Sequence, residues 1–301
     1  MKIKNKLIIA LILSFTFILL LSIGMTLFLK SNENITLIQL SPQTSSQMMG
    51  YIIKTKNNKM IIVDGGMVGD TDNLKKYIQE HNNKVDYWFL THNHNDHASA
   101  FVEIANKENV EIENIYASLN DKNWYEINEP SRAEFSKILI DTLNSDKLKN
   151  KVKEPKLNEK LKIDGINIEI LGIKNPEITE NPGNEQSMVI KFDTGRTKLL
   201  ILGDTGEKSS EKLLKNQKDK LKSDIVQMAH HGQAGATEEL YKQINPTICL
   251  WPTPKWLWNN DNGGGENSGT WKTMETRSWM ENIGVKQNYV AKDGDIQIKI
   301  R

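Results

Sequence analysis

From about residue 35 onward, short apolar runs alternate with amphipathic stretches along the chain. Runs rich in β-branched and aromatic residues predict strands, and apolar residues at helical spacing, such as Leu74, Tyr77 and Ile78, predict helices. In the first half, the predicted strands are 35–40, 49–55, 60–66, 85–90 and 110–118, and the predicted helices are 71–82 and 97–107.

The second half repeats this alternation. Strands are predicted at 160–172, 187–193, 198–203, 224–229 and 247–251, and helices at 131–147, 207–221, 236–244 and near 271–283. Strands mixed with helices in both halves favour two packed sheets with helices outside them, an α/β sandwich.

The N-terminal segment has a different character. Residues 7–29 are 23 residues without a charge, and about 20 apolar residues in a helix span a bilayer. Three lysines precede the run, so the positive-inside rule places the N-terminus in the cytoplasm. We therefore expect residues 1–30 to be a single-pass signal-anchor in the cell membrane, with the domain at 35–301 outside; a cleaved signal peptide is the alternative.

Charge and cysteine content narrow the function classes. Residues 1–30 hold four basic residues and no acid, so 35 of the 39 basic residues face all 38 acidic residues in the remainder. That slight acidic excess argues against a nucleic-acid partner, which is unlikely but stays open. The one cysteine, Cys249, excludes an intrachain disulfide and lies in a predicted buried strand.

Five of the six histidines lie in two short groups that each follow a predicted strand. The first group is THNHNDH at 91–97. In an extended stretch, residues two apart project to the same side, so His92, His94 and Asp96 can point together, and His97 can join them as the chain turns. Nitrogen and oxygen donors of this kind suit zinc and similar divalent ions.

Three further segments supply candidates for the same site. Asp64, in VDGG, ends an apolar strand and can orient a ligand histidine from behind or, alternatively, serve as a turn aspartate. Asp204, in LLILGDTG, can be shared between two metals or can cap the following helix. AHHGQ at 229–233 supplies His230 and His231.

The ordered set VDGG, THNHNDH, ILGDTG and AHHGQ resembles the metallo-β-lactamase superfamily, over essentially all of residues 35–301. The resemblance implies an αββα sandwich with two metal ions, zinc or alternatively manganese, in the cleft between the sheets. Carried over by position, the ligands are His92 and His94 for the first metal, Asp96, His97 and His230 for the second, and Asp204 between them. His230 is favoured over His231 as the ligand, but the choice between the two stays open. Asp96 or Asp204 is a candidate for orienting the attacking water, and His231 for contacting the leaving group.

One departure from the family pattern bears on the substrate. Many members have a further histidine between the main cluster and the bridging aspartate, but here NEQSMVI occupies residues 184–190. This element resembles the branch that contains DNA-uptake channel hydrolase domains and cell-wall phosphorylcholine esterases. Asn184 and Ser187 are candidates for substrate contacts or, alternatively, for the capped start of a strand, and the first metal is expected to be weakly held.

Residues 251–271 form a predicted loop with four tryptophans. Trp256 and Trp258 are candidates for holding a substrate by their ring faces, and packing of the loop is the alternative.

The sequence thus predicts a metal-dependent hydrolase that uses a metal-activated water on a phosphodiester or a phosphorylated cell-surface substrate. Hydrolysis of a β-lactam, lactone or thioester is the first alternative. A membrane-anchored binding protein without turnover is the second.

Overall fold

Two seven-stranded mixed sheets form the middle of the protein in the computed structural model, which describes residues 13–22 and 35–301. The strands of the first sheet are β1 (Ile35–Gln39), β2 (Gly50–Lys54), β3 (Met60–Asp64), β4 (Lys84–Leu90), β5 (Glu111–Ala117), β6 (Val152–Lys153) and β14 (Ile296–Ile300). Their order is β14-β1-β2-β3-β4-β5-β6. The pairs from β14 to β3 are antiparallel, and those from β3 to β6 are parallel.

The second sheet repeats this plan. Its strands are β7 (Lys160–Ile163), β8 (Ile166–Gly172), β9 (Val189–Asp193), β10 (Lys198–Ile201), β11 (Ile225–Gln227), β12 (Ile248–Trp251) and β13 (Gln287–Val290), in the order β13-β12-β11-β10-β9-β8-β7. The strands from β7 to β10 pair antiparallel, and those from β10 to β13 pair parallel.

Helix α1 (13–22) precedes the strands. The helices that join the strands are α2 (Thr71–Glu80), α3 (Asn95–Lys107), α4 (Lys122–Asn128), α5 (Ala133–Leu143), α6 (Glu207–Asn216), α7 (Glu238–Ile244), α8 (Lys255–Trp258) and α9 (Thr273–Ile283). Short 3-10 turns lie at Val68–Asp70, Asn184–Gln186, Lys218–Lys220, Ala229–Gly232 and Ala291–Asp293.

The apolar layer between the sheets is built from alternate residues of their facing sides. Phe89 of β4 stacks on Tyr116 of β5 at 4.9 Å between ring centroids, and Phe192 of β9 meets Phe89 edge-on at 6.0 Å. All three rings are buried, so they join the two sheets through a contact that aromatic pairs favour.

Helices close both outer faces. Leu74, Phe101 and Leu139 bring α2, α3 and α5 onto the first sheet, and Leu213 and Leu240 bring α6 and α7 onto the second. Four layers result, helix–sheet–sheet–helix, and the predicted αββα sandwich is confirmed.

Most predicted elements are present, usually one to three residues shorter at an end. The predicted helix at 207–221 ends as α6 at Asn216, followed by a 3-10 turn. The sequence analysis missed α4 and β6, predicted β7 and β8 as one range at 160–172, and treated α8 as loop. The two helices have seven and four residues and β6 has two, too few for periodicity to distinguish them from a loop.

The predicted signal-anchor is described only in part. Residues 13–22 are helical, and the other residues of the 7–29 run lie outside the described residues. Within the described ranges, none of the helices combines the length and apolarity needed to span a membrane.

Strands from both sheets end at one pole of the sandwich. In the first sheet, β3 ends at Asp64 and β4 at Leu90; in the second, β10 ends at Ile201 and β11 at Gln227. Every predicted metal ligand lies just after one of these strand ends, in a loop or in the first turn of α3. Functional side chains are commonly presented at strand ends of a rigid scaffold.

The layer between the sheets yields a stability prediction. We expect Phe192→Ala to lower the free energy of unfolding by about 3–5 kcal/mol, because it removes the ring that joins the two sheets and leaves a cavity. The measurement is denaturant unfolding of the detergent-solubilised chain. Ile127→Ala, at a side chain that is 68% exposed, should change it by less than about 0.5 kcal/mol, and equal effects of the two would contradict this account of the core.

Candidate metal centre

The loop that follows β4 carries four potential ligands in six residues. The chain stays extended through His94, with φ −76° and ψ 151°, and α3 begins at Asn95. The extended stretch turns His92 and His94 toward one cavity, and the first turn of α3 brings Asp96 and His97 to it. The four side chains are all at most 9% exposed.

Two groups of potential ligands lie side by side. In each group, one nitrogen or oxygen of every member lies within 4.8 Å of the others; the groups are His92, His94 and Asp204, and Asp96, His97 and His231. All six residues are buried. Each group therefore combines nitrogen and oxygen donors of the kind that bind zinc and related ions.

Asp204 lies between the two groups. Its Oδ1 is 3.2 Å from His97 Nε2, and its Oδ2 is 3.8 Å from His92 Nε2 and 3.6 Å from His231 Nε2. These approaches do not have the geometry of hydrogen bonds, so Oδ1 and the three imidazole nitrogens are buried without a hydrogen-bond partner. A carboxylate in this position can contact an ion in either group.

An outer acceptor fixes each imidazole from behind. His97 Nδ1 lies 2.7 Å from Asp64 Oδ2, His231 Nδ1 lies 2.8 Å from the Pro252 carbonyl, and His92 Nδ1 lies 3.1 Å from Thr91 Oγ1. Since Thr91 Oγ1 donates its proton to Asp64, it can only accept from His92. Each ring therefore donates through Nδ1 and turns Nε2 toward the centre, the orientation that metal-binding histidines have.

His94 is held in the opposite sense, by a residue that the sequence analysis did not identify. Its Nε2 lies 2.7 Å from Glu129 Oε1, which leaves Nδ1 for the centre. Glu129 Oε2 also accepts a 2.8 Å hydrogen bond from Asn93. Gly183 covers this pair so closely that a Cβ there would lie 2.1 Å from His94 Nε2. Glu129 is 8% exposed, so a nearly dry carboxylate orients His94.

Burial and mutual charge set the ionisation of the centre. Burial, reinforced by the neighbouring imidazoles, holds the pKa of His92 well below its ordinary value. Burial also opposes a charge on His97, but the carboxylates of Asp204 and Asp64 outweigh it and raise the pKa of His97 well above that value. For Asp204, burial would raise the pKa, but the nearby imidazoles lower it well below the ordinary range.

These observations show that the residues fit a metal pair. Buried lone pairs without partners converge on one cavity, and the buried carboxylate of Asp204 needs a nearby cation to offset its desolvation. A divalent ion in each group would supply that charge and accept those lone pairs.

His231, and not the favoured His230, lies in the second ligand group, and His230 lies at the rim. His231 stands with Asp96 and His97, and its Nε2 lies 3.1 Å from Asp96 Oδ2. His230 points elsewhere: its Nδ1 lies 3.0 Å from the Ala234 carbonyl and its Nε2 lies 3.4 Å from Asn184 Nδ2. The reason is the backbone, since both residues are left-handed, with φ of 50° and 55°, so the strand alternation ends before them.

Asn184 and Ser187 lie in different surroundings. Ser187 is 2% exposed, and its Oγ accepts a 2.9 Å hydrogen bond from the Asp204 amide, so it supports the Asp204 loop from within. Asn184 lies beside His230 and donates to Asn181, while its Oδ1 is buried without a partner. Of the two, Asn184 is the one next to a histidine at the rim of the centre.

The tryptophan loop is packed rather than open. Trp256 donates to the Ser45 carbonyl at 2.7 Å and meets Trp271 edge-on. Trp258 packs on Trp251 and under the guanidinium of Arg277, which lies 4.2 Å from its ring centroid. These contacts favour the packing alternative for Trp258. Trp256 is half-buried and also borders an open cleft with Pro42 and Gln43, so its contact with substrate stays a prediction.

Sequence reasoning missed Glu129 and Gln47, which hydrogen-bond to predicted ligands although they lie far from them along the chain. Gln47 donates to Asp96 Oδ2 at 2.9 Å and accepts from Gln233 at 3.1 Å. Glu129 is an isolated acid after α4, and Gln47 lies in a loop before β2. Neither position carries a motif or periodic pattern, and only the packing of the loops brings them to the centre.

The chain is similar in sequence to a protein of known identity. The chain is 29% identical over 100 residues to ComE operon protein 3 of Bacillus subtilis (strain 168), a match that covers 33% of this chain and 12% of that protein. The chain thus spans about an eighth of the length of that relative. The match fits the branch that the motif order resembles.

Solved structures share the fold at low identity. The metallo-β-lactamase fold protein YhfI from Bacillus subtilis superposes with a TM-score of 0.54 at 12% identity, over 89% of this chain and all of that one. CmlA, a diiron β-hydroxylase from Streptomyces venezuelae, superposes with a TM-score of 0.50 at 10% identity, over 89% of this chain and 54% of that one. At such identities, the likeness shows the fold alone.

The sequence pattern of the metallo-β-lactamase superfamily matches residues 49–245, more than half of the chain. The matched region begins before β2 and ends after α7, so it contains Asp64, the THNHNDH loop, Asp204 and both histidines of AHHGQ. The sandwich, the two ligand groups and this match agree. The chain therefore belongs to the metallo-β-lactamase superfamily and is a metallo-hydrolase.

Proposed function

We propose that the protein hydrolyses a phosphodiester, with two divalent metal ions as cofactors. The observation that carries the proposal is the pair of buried ligand groups on either side of Asp204. In such a hydrolysis, the oxygen of water bonds to phosphorus, the bond to the leaving oxygen breaks, and that oxygen takes up a proton. Paired metal sites are common in enzymes that carry out this displacement.

The ligand roles follow from the two groups. His92, His94 and Asp204 would hold the first ion, and Asp96, His97 and His231 the second, with Asp204 in reach of both. When bound, two zinc ions, or manganese in their place, would polarise the phosphoryl group and lower the pKa of a water molecule. The weaker binding expected for the first ion rests on the further histidine that many family members have, because NEQSMVI stands in its place here.

The remaining residues of the site orient the ligands and meet the substrate. Asp64, Thr91 and the Pro252 carbonyl hold three imidazoles in the tautomer that ligation needs. Gln47 fixes one oxygen of Asp96 by its hydrogen bond. His230 lies at the rim with its Nε2 beside Asn184, and we assign it the substrate contact that the sequence analysis gave to His231.

The surface beside the site supports a substrate that is not a polyanion. An adjoining cleft, bordered by Asn181 and Gln233, is lined by Glu180, Glu185, Glu207, Glu238, Glu239 and Glu275 against Lys208 and Lys272. Six carboxylates against two ammonium groups repel a chain of phosphates. This favours an isolated phosphodiester with a neutral or cationic substituent over nucleic acid.

The uncharged segment at 7–29 supports attachment to the cell membrane. We propose that the protein is a single-pass membrane protein with its sandwich on the outer side, where it would act on a cell-surface polymer that carries isolated phosphodiester substituents. The substrate would then be met outside the cell.

The reaction is tested by a substrate screen of the purified full chain. We expect turnover of bis-p-nitrophenyl phosphate and faster turnover of p-nitrophenyl phosphorylcholine, whose substituent is cationic, with loss of both on chelation and recovery with zinc or manganese. Asp96→Asn should lower turnover by about 100-fold or more while the far-ultraviolet circular dichroism stays unchanged. Hydrolysis of nitrocefin alone would favour a β-lactamase instead, and full activity in strong chelator would refute the metal pair.

The exchanged histidines give a separate prediction. His231→Ala should remove about one metal ion per chain in elemental analysis, because it deletes a ligand of the second group. His230→Ala should keep the metal content and raise KM or lower kcat. His231→Gln serves as a second variant in case the cavity left by alanine destabilises the fold. Metal loss in the His230 variant alone would return the ligand role to His230.

Glu129 provides a test of the first ion. Glu129→Gln keeps the shape of the side chain but removes the charge that orients His94, so we expect metal affinity at the first group to fall about 10–100-fold, measured by competition with a chelator. Glu126→Gln is the matched control, since Glu126 lies in α4, three residues before Glu129, and pairs with Lys137 at the surface. Unchanged metal affinity in the Glu129 variant would mean that the charge of this carboxylate does not orient His94 for metal binding.

A further inference from the structure

The sandwich has two poles, and the chain enters it at the pole opposite the metal centre. Gly50 of β2 pairs with Asp64, at the metal centre, and Lys54 pairs with Met60, at the other end of β3. Thr36 of β1 pairs with Lys54, so β1 begins at that other end. We call this end the anchor pole and define it by Ile35, the start of β1. A five-residue strand is about 17 Å long, so the anchor pole is well separated from the centre.

The chain between the apolar segment and the anchor pole is short. The uncharged run ends at Leu29 and β1 begins at Ile35, six residues later. Six extended residues reach at most about 22 Å. If the run lies in a bilayer, as proposed above, the anchor pole must stay close to the headgroups.

A cleft at the anchor pole is lined by three cations. Its walls include Ile35, Lys56, Asp164, Arg196 and Arg301. In the described part of the chain, neither the lysine nor the two arginines has an ion-pair partner, and all three are exposed. Asp164 keeps its negative charge while its two oxygens accept from Thr55 and Asn57, so three cations face one carboxylate in the cleft. The cleft is therefore suited to an anion such as a phosphate group.

The turns around this cleft extend the positive charge. Six cationic residues lie in them or at their edges: Lys56, Lys59, Lys162, Arg196, Lys198 and Arg301. Three carboxylates lie among them, Asp164, Asp193 and Asp224, and each accepts a hydrogen bond from a neighbouring group. The metal pole has the opposite balance, with six glutamates against two lysines in its cleft. The domain is therefore electrically polarised along the strands.

We propose that the anchor pole docks on a bilayer surface that contains anionic lipids, with a headgroup phosphate in the three-cation cleft. The proposal rests on the membrane attachment proposed above. Docking would hold the sandwich upright, with the metal centre directed away from the lipid and toward polymers outside the membrane. Lysine and arginine side chains near an anionic leaflet each strengthen such binding by a factor of about five.

Hydrogen exchange of the full chain tests the docking in nanodiscs of two compositions. One contains phosphatidylcholine alone, and the other contains phosphatidylcholine with about a third phosphatidylglycerol. We expect the amides of the turns at 55–59, 164–165 and 194–197 to exchange several-fold more slowly in the anionic discs. The difference should vanish at high salt, which screens interactions between exposed charges.

Charge variants make the test specific. The triple variant Lys56→Glu, Arg196→Glu and Arg301→Glu should abolish the protection, and the neutral set Lys56→Gln, Arg196→Gln and Arg301→Gln should weaken it at least about tenfold in docked population. Lys255→Glu with Lys272→Glu is the matched control, because both lysines are exposed in the segment that follows β12 at the metal pole. This control should retain the protection.

The other outcomes contradict the proposal in distinguishable ways. Equal exchange in the two kinds of disc would overturn the docking. Protection by soluble polyphosphate in phosphatidylcholine discs, without an effect of phosphatidylglycerol, would assign the pole to a soluble polyanion instead. Failure of the full chain to float with phosphatidylcholine vesicles would refute membrane attachment itself, whereas hydrolysis of bis-p-nitrophenyl phosphate is read separately in the same samples.

Discussion

The hydrogen bond between Asp64 and His97 is the contact on which the metal centre depends. Asp64 is fully buried at the end of β3, where its own backbone is left-handed. Its carboxylate accepts from His97 and from both the amide and the hydroxyl of Thr91, at 2.6–2.7 Å. One side chain therefore ties the end of β3 to the loop after β4 and to the first turn of α3. Burial alone would make this carboxylate costly, so its three donors are part of the reason that the loop has one conformation.

The second sheet supplies the remaining predicted ligands of the metal centre. The glycine before Asp204 is left-handed, with φ of 59°, and the loop is held by the Ser187 hydroxyl and by the side chain of Gln227. Neither sheet alone contains a full ligand set, because His92, His94, Asp96 and His97 come from one and Asp204 and His231 from the other. The apolar layer that joins the sheets thus also sets the distance between the two halves of the centre. The same apolar layer therefore contributes both to the stability of the fold and to the spacing of the predicted ligands.

The sequence predicted the parts of this arrangement that depend on local pattern. The alternating runs predicted nearly every strand, and the spacing of the THNHNDH loop predicted which side chains converge, because both depend on neighbours in the chain. The exchange of His230 and His231 depends on two left-handed residues, which no strand or helix rule anticipates for histidine. Glu129 and Gln47 reach the centre only through loop packing, and the tryptophans are occupied by partners far away in the chain. Contacts between residues far apart in the chain produce no periodic pattern in the sequence, so they could not be predicted from it.

The left-handed turn at His230 and His231, continued by Gly232, has a consequence for how the site can change. Three successive residues with positive φ leave the two imidazoles facing different surroundings, one the buried ligands and the other the rim. The conformation is unfavourable for histidine and persists because the surrounding contacts impose it. A substitution that let His230 and His231 return to negative φ would move both imidazole rings at once. If His231 binds metal and His230 meets substrate, as proposed above, a substitution in this loop that alters metal affinity will also alter substrate preference.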